Sequence, residues 1–207
     1  MTGNGTSTGD EKGLRTMTPR ILAFAGSMRR ESFNKRLVQR AAKGAREGGA
    51  EVTLIDLKDF PLPLFDQDLE AEQGMPDNGA KLKRLFIDHD GLLIAAPECN
   101  SSITAVLKNV IDWVSRPAPG EASLVAFTGK VATLMSASPG ALGGLRGLVH
   151  VRSILGNIGV IVLPDQIAVP KAHEAFKPDG SLMDPKQQAG VEALGKTLAS
   201  FLMKLKQ

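Results

Sequence analysis

Cysteine appears once in the 207 residues, histidine three times and tyrosine not at all. A lone cysteine excludes an intramolecular disulfide, and three widely spaced histidines with no second thiol supply no zinc cluster. No metal site is expected, and a reducing, cytoplasmic location fits this cysteine usage. The first eighteen residues, MTGNGTSTGDEKGLRTMT, lack the continuous apolar stretch that a signal peptide or membrane span requires. Rich in Gly, Thr and Ser, they cannot bury enough apolar surface to offset their ordering entropy, so residues 1–18 are expected to form a flexible tail. An excess of one charge is also lacking: 25 Lys and Arg against 22 Asp and Glu leave a net +3, with no basic stripe to track a phosphate backbone. Neither nucleic acid nor a membrane is an expected partner.

What remains is a chain with 43% hydrophobic and 23% charged residues, enough for one globular domain over residues 19–207 and not for two. Short β-branched or apolar runs alternate with stretches of helical period, the pattern of a parallel sheet with crossover helices. The runs 21–25, 92–96, 131–135 and 160–163 are too apolar for one-faced strands and read as buried central strands. Residues 51–56 mix in polar side chains and read as an edge strand beside the first. Helical stripes run through Leu37, Val38, Ala41, Ala42 and Ala45, through Leu82, Leu85 and Phe86, and from Ile103 to Val114. Leu145, Leu148, Val149 and Leu155 suggest a fourth helix, and a stripe from Val191 to Leu205 a fifth. The expected fold is α/β and flavodoxin-like: a doubly wound five-stranded parallel sheet in order 2-1-3-4-5, with helices on both faces. Ligands then belong outside the carboxyl ends of the strands, near the switch between strands one and three.

The loops after strands one, three and four are the three most unusual segments of the chain. The first, Gly26–Asn34, sets Ser27, Arg29, Ser32 and Asn34 immediately before a helix, where hydroxyls, a guanidinium and amides converge with free backbone N–H groups. Such a loop suits a phosphate, although Ser32 as a plain helix cap and Ser27 as a turn residue is an equal alternative for the loop alone. It has neither the Gly-Lys-Ser/Thr of a nucleotide P-loop nor a dinucleotide glycine triplet. Several side-chain donors suit a terminal monophosphate, so FMN fits better than NAD as resident ligand. The second loop, Pro97-Glu98-Cys99-Asn100-Ser101-Ser102, is a short polar turn along which a flat heterocycle can lie. The third, Ser136-Ala137-Ser138-Pro139-Gly140-Ala141-Leu142-Gly143-Gly144, offers bare main chain to a ring system, or simple turns.

These segments resemble the NADPH-dependent FMN reductases, the flavodoxin-like group that includes quinone, azo and chromate reductases, from about Arg20 to the C-terminus. The family motif Gly-Ser-x-Arg-x-x-Ser-x-Asn is matched by Gly26, Ser27, Arg29, Ser32 and Asn34. Pro-Glu-Tyr-Asn, a following Ser, and Leu-Lys-Asn-x-Ile-Asp-Trp-x-Ser-Arg are matched by Pro97, Glu98, Asn100, Ser102 and the run from Leu107 to Arg116. The resemblance implies phosphate contacts from the first loop and Ser102. It implies ring contacts from Pro97, Glu98, Cys99 and Asn100 and from the third loop, with Ser136, Ser138, Gly140 and Gly143 the candidates there. It also implies a homodimer or homotetramer with flavin near the subunit interface. One departure stands out: Cys99 replaces the usual tyrosine, so stacking area and a hydroxyl are lost beside the ring.

The expected activity is NAD(P)H-dependent oxidoreduction, with NADPH or NADH as donor, FMN carrying the electrons and quinone-like or other small molecules accepting them. No catalytic side chain is assigned, because the cofactor carries the chemistry. The alternatives are a flavodoxin-type electron carrier and a non-catalytic flavin-binding interaction protein. Trp113 reads either as an interface anchor or as a residue buried in its own subunit. Residues 60–65, Phe-Pro-Leu-Pro-Leu-Phe, read as a partner surface, a lid or a cover for the sheet edge.

Overall fold

Three runs of residues with almost no polar side chains set the middle of the sheet: β1 (Arg20–Ala25), β3 (Gly91–Ala95) and β6 (Val131–Ala137). A strand covered on both faces must be apolar on both, and every residue of β3 and β6 is buried. Together with β2 (Glu51–Asp56) and β7 (Ile161–Val169) they form an all-parallel sheet in the order β2-β1-β3-β6-β7. Counted along the main sheet, this is the expected order 2-1-3-4-5. The structure, a computed structural model, describes residues 18–206, so the tail expected over residues 1–18 lies outside it except for Thr18.

The odd-numbered side chains of β1, Ile21 and Ala23, join Leu93 and Met135 beneath α1 (Phe33–Glu47) and α7 (Pro185–Leu205). The even-numbered Leu22 and Phe24 join Leu92, Ile94 and Leu134 on the other face. That face is covered by α3 (Asp77–Asp88), α4 (Ala105–Val114) and α5 (Leu145–Asn157). This is the period-two alternation of a strand buried on both sides.

Several sequence expectations need correction. The run 160–163 is not a central strand: β7 extends to Val169 at the sheet margin, and Ile161 is 50% exposed. Its apolar start misled because this marginal strand is still covered on both faces, Leu163 packing with one core cluster and Val160 and Val162 with the other. Ile103 is not helical but lies in β5 (Ser102–Ile103), paired antiparallel with β4 (Glu98–Cys99). The helix starts later because the Thr104 hydroxyl caps it, accepting from the Leu107 N–H at 3.3 Å.

Two short helices escaped the periodic reading, α2 (Gln67–Gln73), which buries nothing, and α6 (Ala172–Ala175), which buries only Ala172. Residues 60–65 pack Phe60 and Leu62 against the core face that also holds Ile55 of β2. They are strapped to α4, where Asn109 accepts from the Phe65 N–H at 2.7 Å and donates to the Pro63 carbonyl at 2.8 Å. Trp113 is fully buried, donates from Nε1 to the same carbonyl at 2.9 Å and meets the Phe65 ring edge-on. Arg116 completes the strap by pairing with Glu70 at 2.9 Å.

Candidate functional site

The carboxyl ends of β1, β3 and β6 are bonded together where their loops begin. The Gly26 N–H donates to the Ala95 carbonyl at 2.9 Å, and the Ala96 N–H to the Met135 carbonyl at 2.8 Å. Three loops therefore leave the sheet side by side: Gly26–Asn34, Pro97–Thr104 and Ala137–Gly144.

The first loop enters α1 through Ser32. Ser32 occupies the N-cap position of α1 and is buried, yet its side chain makes no cap hydrogen bond. The first turn of α1 also carries no acidic residue. The positive end of a fifteen-residue helix is thus left without the usual carboxylate or hydroxyl compensation. Arg29 is exposed and has no carboxylate partner among the described residues; its guanidinium carbon lies 5.3 Å from the Phe33 ring centroid. Phe33 in turn stacks on Phe176 at 5.9 Å, so the guanidinium rests on an aromatic platform and keeps its donors available. Ser27 is half-buried, with its Oγ 3.3 Å from the Arg29 N–H. Glu31, the acid within this loop, is taken up by Arg36 at 2.9 Å, and the remaining donor set fits a phosphomonoester.

Asn34 ties two of the loops together. It is buried, and its amide donates to the Ala137 carbonyl at 2.8 Å while accepting from the Ala137 N–H at 3.0 Å. Both ends of the side chain stitch the first loop to the third.

The second loop is a hairpin with Asn100 and Ser101 at its tip, both at positive φ, 50° and 67°. A two-residue hairpin turn twisted this way demands that geometry at both central positions. Pro97 is half-buried; Cys99 and Asn100 are exposed. Ser102 faces α5, its Oγ hydrogen-bonded to His150 Nδ1 at 2.9 Å. The residue that reaches the first loop is Thr104, whose hydroxyl donates to the Gly26 carbonyl at 2.7 Å.

The Glu98 carboxylate is turned toward α5. One oxygen accepts from Arg146 Nη2 at 2.8 Å and Nε at 3.1 Å, the other from the Gly147 N–H at 3.1 Å. Burial alone would push this carboxyl up, but the Gly147 N–H and the Arg146 guanidinium outweigh it and hold the group below the usual carboxylate range.

In the third loop Ser138 is half-buried, Gly140 is exposed, and the Ser138 Oγ accepts from the Gly140 N–H at 3.3 Å. Gly143 and Gly144 both sit at positive φ. A Cβ at Gly144 would lie 2.0 Å from the Ser136 Oγ, so only glycine can close over that residue. Ser136 is therefore turned inward, fully buried, with an unpartnered hydroxyl among the described residues, and presents no side chain to the loop surface.

Sequence reasoning missed Thr104, Arg146 and His150. A Thr directly before an apolar helical run is a capping signal that could have singled out Thr104. Arg146 and His150 carry no such signal, because a basic residue on the polar side of a helix looks like an ordinary solvated one.

Among the described residues no helix is long and apolar enough to cross a membrane. The family model "NADPH-dependent FMN reductase" matches residues 19–174. A protein of Oryza sativa subsp. japonica named "Probable NADPH:quinone oxidoreductase 2" is 34% identical over 190 residues, 90% of each chain. An NAD(P)H-dependent FMN reductase of Pseudomonas aeruginosa is 32% identical, covering 90% of this chain and 97% of its own. Among solved structures, the flavoenzyme NAD(P)H:(acceptor) oxidoreductase FerB of Paracoccus denitrificans superposes with a TM-score of 0.75 at 26% identity, covering 90% of this chain and 98% of its own.

Proposed function

Because the chain belongs to the NADPH-dependent FMN reductase family, we propose that it holds FMN along the carboxyl edge of β1, β3 and β6 and reduces small quinone-like acceptors with NAD(P)H. The observation that carries this reading is the amino end of α1. Ser32 leaves it uncapped, its first turn holds no acidic residue, and beside it stands Arg29, which has no carboxylate partner among the described residues and rests on an aromatic support. FMN, when bound there, would supply the redox chemistry that links nicotinamide oxidation to acceptor reduction.

The chain binds and orients. Ser27, Arg29, Ser32 and the first N–H groups of α1 hold the phosphate by charge-assisted hydrogen bonds. The main chain of Pro97, Cys99 and Asn100 and of Ser138, Gly140 and Gly143 lines the ring. Asn34, Glu98, Ser102 and Ser136 act from behind, fixing where those loops sit. No side chain is assigned the role of catalytic acid or base. An open ring face with few directional groups accepts one small oxidant nearly as well as another.

We read the residues from 19 onward as one cytoplasmic domain. Leu145 and Val149, one turn apart on α5, and Leu142 just ahead of it are exposed beside the ring-side hairpin. That apolar patch favours a homodimer or homotetramer with flavin near the contact. The relatives' names favour a reductase over an electron carrier or a non-catalytic flavin binder.

Reconstitution with FMN followed by assay tests cofactor and reaction together. The holoprotein should be yellow and oxidise NADPH or NADH when menadione is supplied. Absence of turnover with both nicotinamides, in a protein that instead takes electrons from a carrier protein, overturns the reductase reading.

A further inference from the structure

Three side chains tie the three loops to one another in a closed circuit. Asn34 bonds the first loop to Ala137 of the third, and Thr104 bonds the second to Gly26 of the first. Glu98 supplies the remaining side, from the second loop to α5 at the exit of the third. This last tie has the most to hold. The hairpin tip carries two consecutive non-glycine residues at positive φ, a conformation the turn requires and for which Ser101 bears a steric cost.

The receiving end is equally in need of a partner. The N-cap of α5 is Gly144, which has no side chain to cap the helix, and the first turn of α5 contains no acidic residue. Glu98 meets that need from another segment: it accepts the Gly147 N–H and pairs with Arg146 at the positive end of a thirteen-residue helix. Gly147 lets the hairpin come close, since a Cβ there would lie 3.2 Å from the Ser102 carbonyl oxygen. The His150 to Ser102 bond is a second tie one turn further along.

We infer that Glu98 is a positioning residue that clasps the second loop to the third by capping α5 from outside, and so sets the bed on which the flavin ring lies. The clasp belongs to the protein itself, whereas its consequence for the ring rests on the FMN reading proposed above.

The variants Glu98→Ala, Glu98→Gln and Arg146→Ala separate the possibilities. In the flavin-free protein, amide hydrogen exchange over residues 98–103 and 144–148 should rise about tenfold in Glu98→Ala, the size of one charged hydrogen bond lost. Glu98→Gln keeps an acceptor for the Gly147 N–H and should recover part of the protection. Arg146→Ala, which leaves that bond in place, should give a smaller rise and carries the test if Glu98→Ala cannot be purified folded. With flavin added, Glu98→Ala should weaken FMN and riboflavin by the same factor, on the order of tenfold, and shift the visible absorption of the bound ring.

Unchanged exchange in both loops overturns the clasp. A loss confined to FMN, which would place the effect at the phosphate, overturns the ring-positioning role. A wild type that binds neither flavin sinks the functional reading and the ring role with it, while the exchange comparison still decides the clasp.

Discussion

Arg29 and Phe33 lie four residues apart, so a guanidinium near the end of the loop comes to rest over the ring that opens α1. A long side chain held this way loses less rotamer freedom on meeting a phosphate than one waving in solvent. Arg29→Ala should therefore weaken FMN by about 1.5–3 kcal/mol while leaving riboflavin almost untouched. Fluorescence titration with the two flavins measures it, and equal losses for both would remove Arg29 from the phosphate site. Cys99 occupies the tyrosine position of the Pro-Glu-Tyr-Asn motif. It is exposed at the hairpin edge, so a larger side chain has room. Cys99→Tyr should tighten flavin binding by about 0.5–1.5 kcal/mol through ring contact. Weaker binding in this variant would mean that the thiol's small size is itself required.

At the scale of elements, what could be read from the sequence follows from burial. The strands β1, β3 and β6 and the helices α1, α3, α4 and α7 bury continuous or periodic apolar faces, and these were legible. The helix α2 buries nothing and rests on its Asp66 cap, and the β4–β5 hairpin pairs only two residues a side, so neither leaves a periodic trace. In the site, the first loop was legible because its donors are close in sequence. The ties through Asn34, Thr104 and Glu98 span 103, 78 and 49 residues and exist only once the sheet has formed. The run from Leu107 to Arg116 was legible as a motif, but its structural task, strapping residues 60–70 to α4 through Asn109, Trp113 and Arg116, was not.

Packing between α1 and α7 makes an element-scale prediction. A Cβ on Gly195 would fall 2.0 Å from the Ala41 carbonyl oxygen and 2.6 Å from the Ala45 nitrogen, both backbone atoms that no rotamer change can move. Alanine at this position gains about 1 kcal/mol of helix propensity. Forcing the helices apart costs about 1–3 kcal/mol or more, so Gly195→Ala should lower stability overall. Urea unfolding reads the sign directly; a raised midpoint would show that the two helices can separate at little cost.

For the whole molecule, the acid side of stability is set in part at the opposite end of the sheet from the ligand loops. His89 is buried between α3 and β2, with Nδ1 2.6 Å from the Leu85 carbonyl and Nε2 2.7 Å from the Thr53 hydroxyl. The carbonyl can only accept, so Nδ1 carries the proton and Nε2 accepts from Thr53 in the neutral ring. Burial holds its pKa below the ordinary histidine value, the Leu85 carbonyl opposes this, and the nearby positive charges of Arg20 and Lys130 add to it against Asp88. Lys130 is itself pushed down by burial, against the pull of Asp90 and Asp88. Above about pH 6.5 the imidazole is neutral in both the folded and the unfolded chain, and its contribution is fully present. As the pH falls below that value the unfolded chain takes up a proton that the folded chain resists. Stability is therefore lost by up to about 1.4 kcal/mol per pH unit until the depressed folded pKa is reached. Urea midpoints measured from pH 7.5 down to 5 should show this slope, and His89→Gln, which cannot titrate, should be less stable at pH 7.5 yet flatter across the window. A slope as steep in the variant as in the wild type would assign the acid sensitivity to other groups and leave His89 a neutral bridge between α3 and β2.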